Sequence, residues 1–251
     1  MISNINIDII IPNYNKSQYL EECINSVVSQ TFKNWKLYIV DDFSTDNSLQ
    51  VIEKYNTLNN INIIKLKKNK GPAFCRNLGV RISSSPYISF LDSDDLWVKN
   101  KLEKQIIFMI KNKFSFTFSD YYWFKNINSK DYKSTQISNS LSFRKFLNNS
   151  SINSSTMILK RDIIKNTRFK NVNHEDYLFK CDILRSGVVA YKINDKLAYY
   201  RIIKTSRSSN KFVNLFYLWK INSKYNKLNF FKNLISVISI SINSLKKYGF
   251  K

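Results

Sequence analysis

Three cysteines and one histidine in 251 residues leave little for disulfide or transition-metal chemistry. Cys23, Cys75 and Cys181 lie far apart, form no CxxC pair and leave an odd thiol, which argues against a disulfide framework or a cysteine zinc site. His174 stands alone, excluding any mechanism that needs two imidazoles. No apolar run approaches the roughly 20 residues of a membrane-spanning helix. The opening segment, MISNINIDIIIPNYN, has no basic n-region and too short an apolar stretch for a signal peptide, so a reducing, cytosolic setting is expected. No internal repeat and no Pro/Gly-rich linker divides the chain. Acid is scarce as well: 18 Asp+Glu against 40 Lys+Arg give a formal charge of +22. Such a field attracts nucleic acid, anionic lipid or phosphorylated small molecules, and Lys-rich coding bias alone also produces it. No RNP, zinc-finger or helix-turn-helix signature accompanies the charge, so nucleic acid is not expected as a partner.

What is present is a core: 43% of residues are apolar and 15% aromatic. The first hundred residues alternate between two periods. Ile7–Ile11, Leu37–Val40, Ile61–Leu66 and Tyr87–Leu91 read as short β-branched strands. Between them, a helix is expected after a Ser17 N-cap, with Leu20, Ile24, Val27 and Val28 inward. Two more are expected over Thr45–Tyr55 and Ala73–Ile82. This alternation predicts an α/β fold with a mainly parallel sheet covered on both faces. Further on, Leu102–Ile110 is helical and Phe114–Phe118 alternates as a strand. Ser129–Ser140 reads as loop, and Met157–Leu159 as a strand followed by a short helix. Glu175–Ser186 is a helix stopped by Gly187, and Val188–Tyr191 and Leu197–Ile203 are strands. From Phe212 the pattern is helical to the end.

The acids are not scattered. Asp41-Asp42 and Asp92-Ser93-Asp94-Asp95 each follow the last apolar residue of a strand, the edge at which open parallel sheets bind ligands. Carboxylates at i and i+2 of a tight turn suit one divalent cation shared with phosphate oxygens. The same turn also serves as a helix N-cap at Asp95. Asp41-Asp42 can accept hydrogen bonds from a base or ribose, or cap a helix beginning near Ser44. Gly71–Asn77 is a glycine turn entering a helix with Arg76, a pattern for an anion site or a surface arginine. His174-Glu175-Asp176 opens another helix, where acids sit well for dipole reasons alone or supply a general base.

Four segments in order carry a resemblance: IIIPNYNKSQYLEECINSVVSQTFKNWKLYIVDDFSTDNS, NKGPAFCRNLGVRISSSPYISFLDSDDLW, HEDYLFKCDILRSG and YYRIIKTSRSS. Together they resemble glycosyltransferase family 2, the inverting transferases of GT-A fold, from residue 7 to about 209. The resemblance implies a GT-A domain over residues 1–209. Within it, residues 1–98 would bind the nucleotide and residues 99–209 the acceptor, and a helical tail follows over 210–251. It implies that Pro12, Asn13 and Tyr14 line the base and ribose pocket and that Asp41 and Asp42 contact the base. Arg76 lies near the nucleotide or its diphosphate, Asp92 and Ser93 near the ribose, Asp94 on a Mg²⁺ or Mn²⁺ ion, and Asp176 is the catalytic base. The implied partners are a nucleotide-diphosphate sugar and a glycan or lipid-linked acceptor. A family member that has lost catalysis and acts as a binding subunit is the alternative. Ile203 stands where many members carry a histidine, with Lys204 or Arg207 as substitute cations. The tail, with apolar Phe230–Ile242 between Lys227, Lys232, Lys246 and Lys247, is expected to pack on the core, to pair in a homodimer, or to lie on an anionic membrane.

Overall fold

A computed structural model describes residues 5–124, 133–134, 138–203 and 211–248. The first half follows the alternating periods closely. Strands β1 (Ile7–Asn13), β2 (Trp35–Asp41), β3 (Ile61–Lys65) and β4 (Tyr87–Phe90) pair in parallel in the order β3-β2-β1-β4. Helices α1 (Ser17–Val28), α2 (Ser48–Glu53) and α3 (Pro72–Ile82) make the crossovers. Ile7, Ile9, Ile10 and Ile11 are all fully buried, as a central strand covered on both faces requires.

Some boundaries differ from the sequence expectation. Ser17 is the first residue of α1 rather than its N-cap; Lys16 holds that position, and Asp46 Oδ2 accepts the Ser17 N–H at 2.9 Å. The expected helix over Thr45–Tyr55 is cut to α2. Asn15 Oδ1 accepts from Thr45 N at 2.8 Å and Asp46 Oδ1 from Ser48 N at 2.9 Å, holding 45–47 as a turn.

The second half extends the same sheet. It comprises β5 (Leu96–Trp97), α4 (Lys101–Lys111), β6 (Phe116–Phe124), β7 (Lys133–Ser134), β8 (Ser140–Leu141), α5 (Phe143–Leu147), β9 (Ile158–Lys160), α6 (Glu175–Arg185), β10 (Ala190–Arg201), α7 (Lys211–Lys224) and α8 (Phe230–Tyr248). Most of the expected loop Ser129–Ser140 lies outside the described residues. The sheet runs β3-β2-β1-β4-β9-β6-β10-β5, with β9 antiparallel to both β4 and β6 and β10 parallel to β6. The strands expected at Val188–Tyr191 and Leu197–Ile203 are one strand, β10, whose pairing to β6 slips between Ile193 and Ala198. Bulges absorb the polar Asn194-Asp195 that split the pattern. Asp95 does not cap a helix: β5 follows it, and Asp95 accepts from Ser155 Oγ at 2.6 Å and from Arg201 N at 3.0 Å. After β9 comes a 3₁₀ turn, Arg161–Ile164, and the tail is two helices.

All three thiols are buried and free, and burial pushes those of Cys75 and Cys181 up to about 12, out of nucleophilic range. At the rear of the sheet, buried Asp8 accepts from Ser85 Oγ at 2.8 Å and from Arg161 Nη2 at 3.0 Å, tying β1 to the turn before β4. Helix α3 lies close on β1 because Gly79 has no side chain: a Cβ there would stand 2.6 Å from Ile10 Cγ2. Gly79→Ala gains about 1 kcal/mol of helix propensity and loses more to overpacking, which costs about 1–3 kcal/mol. Chemical denaturation should therefore show Gly79→Ala less stable than the parent. A more stable variant would show that α3 can lift from β1 without cost.

Candidate active site

The C-terminal ends of β1, β2 and β4 lie side by side, so the chain leaving each strand meets the others at one edge. At this edge Asn13, the last residue of β1, pairs in register with Asp41, the last of β2. Asn13 Nδ2 donates to Asp41 Oδ2 at 2.8 Å. Asp41 also accepts from Ser44 N at 2.9 Å and Ser44 Oγ at 2.6 Å, so it does brace the turn after β2. Asp42 accepts from the backbone N–H groups of Lys70 and Gly71 at 2.7 and 2.8 Å, fixing the entry to α3. Gly71 there takes φ +82, which a residue with a Cβ rarely adopts. Pro12 is half-buried, Asn13 buried and Tyr14 exposed. Asn13 Oδ1 is buried and has no hydrogen-bond partner among the described residues.

A second group forms where β4 ends. Arg76, on α3, is buried and bridges two carboxylates. Its Nη2 donates to Asp92 Oδ1 at 2.7 Å and its Nη1 to Glu175 Oε1 at 2.8 Å. Burial alone would pull the guanidinium down, but Asp92, Glu175 and Asp176 hold it above its ordinary value. Glu175 and Asp176 begin α6, about 100° apart on the helix. Glu175 points inward to Arg76 and its side chain is 5% exposed, whereas that of Asp176 is 35% exposed. Burial opposes ionisation of Asp176, but the Lys180 ammonium, 2.7 Å from its Oδ2, holds the carboxyl well below the usual range. Ser154 Oγ lies 3.4 Å from the same oxygen. His174, just before, sits in the left-handed region at φ 58 and sets the angle at which α6 starts. Its Nε2 is 3.2 Å from Asn214 Oδ1 on α7.

The DSDD turn divides its side chains. Asp92 N donates to Ser155 Oγ at 3.1 Å, Ser93 is buried, and Asp94 Oδ2 receives Lys16 Nζ at 2.8 Å. Burial, then Asp94 and Asp92, push the Asp95 carboxyl well above its ordinary range. Arg201 closes the turn from β10. Its Nε donates to Asp94 O at 3.0 Å and its Nη2 to Glu22 Oε2 at 2.7 Å, with the guanidinium 4.5 Å from the Tyr19 ring. Lys16, Ser155, Lys180 and Arg201 are site residues that the sequence alone does not single out. Their one signal is adjacency to motif residues, as Lys16 follows Asn13-Tyr14-Asn15 and Arg201 precedes Ile202-Ile203. Ile203 is half-buried, and Lys204 and Arg207 lie outside the described residues. Among the described residues no group of three or more His, Cys, Asp or Glu side chains is placed to hold a metal by itself.

The sequence model of glycosyl transferase family 2 matches residues 8–168. The chain belongs to this family. TuaG of Bacillus subtilis, named a putative teichuronic acid biosynthesis glycosyltransferase, is 31% identical over 243 residues and 96% of each chain. WfgD of Escherichia coli, a UDP-Glc:alpha-D-GlcNAc-diphosphoundecaprenol beta-1,3-glucosyltransferase, is 33% identical over 97% of this chain and 95% of its own. The chain is thus a glycosyltransferase, and Glu175-Asp176 falls beyond the matched family segment but within the span shared with these relatives. S. aureus TarS 1–349 in complex with UDP-GlcNAc matches 96% of this chain and 73% of its own with a TM-score of 0.73 at 19% identity. The mannosyltransferase PcManGT from Pyrobaculum calidifontis, in complex with GDP-Man and Mn²⁺, matches 98% of this chain and 76% of its own at 0.69 and 14%. Both give the fold, which is GT-A.

The bridge makes a prediction for the family member in hand. Arg76→Met removes the guanidinium from buried Glu175 and from Asp92 and should cost about 3–5 kcal/mol in denaturant titration. The double variant Arg76→Met/Glu175→Met should recover some of that loss. Equal stability of Arg76→Met and the parent would show that the bridge contributes nothing.

Proposed function

We propose that this chain is an inverting hexosyltransferase that moves a sugar from a nucleotide diphosphate to a hydroxyl of a lipid-linked or surface glycan, using Mg²⁺ or Mn²⁺. The observation that carries the proposal is the Arg76 bridge, which sets Asp92 of the nucleotide side next to the Glu175-Asp176 pair. Residues 1–98 hold the donor, 99–209 the acceptor, and 210–251 form a helical tail whose helices bond back to α5 and α6. The names of the E. coli relatives, which act on diphosphoundecaprenol-linked GlcNAc, support a lipid-linked acceptor and hence a reaction at the cytoplasmic face of a membrane.

Asn13, with Pro12 and Tyr14 beside it, offers its unpartnered Oδ1 to a donor on the base or ribose, since a buried acceptor without a partner is costly. Asp41 and Asp42 meet the base with the lone pairs their turn contacts leave free. Asp92 and Ser93 lie toward the ribose. A hard divalent cation fits the Asp94 carboxylate, where Lys16 marks a site for positive charge, and such an ion takes its other ligands from the diphosphate and water. When bound, such an ion neutralises charge on the leaving diphosphate. Asp176 is ionised at neutral pH and partly open to solvent, so it can take the acceptor proton. The acceptor oxygen attacks the anomeric carbon as the bond to the diphosphate breaks, and one displacement inverts the centre. The catalytically silent reading is favoured by Ile203 alone.

A screen of nucleotide sugars with Mn²⁺ or Mg²⁺ tests the proposal. One donor should turn over, and Asp94→Asn should lower that rate by on the order of 10²-fold or more with unchanged thermal stability. An absence of transfer or hydrolysis with every donor and acceptor would favour the binding-subunit reading. The pH profile tests Asp176. Because its carboxyl lies below the usual range of about 4, kcat should hold level down to acidic pH. Lys180→Met removes the stabilising charge, raises the Asp176 pKa and should move the acid limb upward. The Asp176–Lys180 contact stabilises the fold above the unfolded carboxyl pKa and is lost as pH falls through the folded one. An unmoved limb would separate Asp176 from the proton transfer.

A further inference from the structure

Helix α8 is turned inside out. At 100° per residue, Phe231, Leu234, Ile235, Ile238 and Ile242 fall within one stripe about 100° wide, and Asn233, Ser236 and Ile240 fall opposite. Ordinarily the apolar stripe faces the core. Here Asn233 and Ser236 are fully buried, while Phe231 is 73% and Ile235 58% exposed. The orientation is locked by hydrogen bonds. Asn233 Nδ2 donates to Trp219 O at 3.0 Å and Ser223 Oγ at 2.9 Å. Ser236 Oγ donates to Leu147 O at 2.5 Å and accepts from Asn222 Nδ2 at 3.0 Å. Rolling the helix to hide its apolar stripe would break all four.

We propose that this stripe is a docking surface for an anionic lipid bilayer. Charge decides the occupant. No Asp or Glu follows Asp195 in the sequence. Lys227, Lys232 and Lys246 flank the stripe and are exposed. Lys220 and Lys224, with Trp219 and Ser223, line an open groove on α7, and Trp219 meets Phe230 edge-on at 5.3 Å. None of these ammonium groups pairs with a carboxylate among the described residues. A second copy would bring its own +22 to the contact, whereas an anionic leaflet draws this charge in. No described helix is long and apolar enough to cross a membrane, so α8 lies in the interface with its apolar side chains among the lipid tails. The surface goes beyond the transferase reading, since docking requires neither donor nor acceptor.

Sedimentation of the full chain with vesicles of phosphatidylcholine, with and without phosphatidylglycerol, tests it. The parent should bind the anionic vesicles, and less as salt rises. The exposed-face variant Phe231→Ser/Ile235→Ser/Ile238→Ser should keep its thermal stability and bind about 100-fold or more weakly. The charge variant Lys227→Glu/Lys232→Glu/Lys246→Glu should lose the preference for phosphatidylglycerol. Equal binding by the triple-serine variant would overturn the proposal. So would failure of the parent to bind at low salt, or a dimer in sedimentation velocity that the triple-serine variant dissolves.

Discussion

A single buried guanidinium organises the functional edge of this protein. Arg76 sits 16 residues from one carboxylate partner and 99 from the other, so its two bonds join the β4 turn to the start of α6. A desolvated cation is tolerable only with close anions, and the guanidinium in turn offsets the cost of burying the Glu175 carboxylate. The arrangement therefore fixes Asp92 and Glu175 together, and through the helical offset at α6 it fixes where Asp176 emerges. Phe169 lies against the same guanidinium at 5.4 Å and stacks on Phe179 at 3.8 Å, so aromatic packing supports the bridge from behind.

Scarcity of acid gives this economy a wider meaning. Asp8, Asp41, Asp42, Asp95, Asp120 and Glu175 are all buried and engaged with turns or cations. The acids are concentrated where they shape the interior and the catalytic edge, and the basic side chains are left to dominate the surface. That surface field acts on anions of every size, from a sugar nucleotide at the sheet edge to a lipid leaflet under α8. One charge imbalance thus serves both the proposed chemistry and the proposed location.

The first half of the fold could be read directly from residues because strand and helix periods there are clean, and because DD and DSDD mark the strand ends. The second half obscured its own pattern. β9 enters the sheet antiparallel between β4 and β6, an order that no local period encodes, and the bulged middle of β10 looked like a break. At the site, Arg76 could be read as an anion binder because its neighbours in sequence allowed it. Its commitment to Glu175 depends on a contact between distant segments. Lys16 and Lys180 escaped for a similar reason, since a lysine in a lysine-rich chain carries no signal until its carboxylate is located. The spacing of α8 was visible, but period alone cannot tell which face points out; that depended on buried asparagine and serine partners on α7 and α5.

On the proposed reading, Arg76 divides labour between two adjacent acids, with Glu175 holding the site together and Asp176 taking the proton. Thermal unfolding and single-turnover sugar transfer, measured side by side on Glu175→Gln and Asp176→Asn, test that division most directly. Glu175→Gln should unfold at lower temperature and keep most of its chemical rate. Asp176→Asn, which takes the carboxylate from buried Lys180, should also unfold below the parent but lose on the order of 10²–10⁴-fold in rate. A stable but inactive Glu175→Gln beside a fully active Asp176→Asn would contradict it.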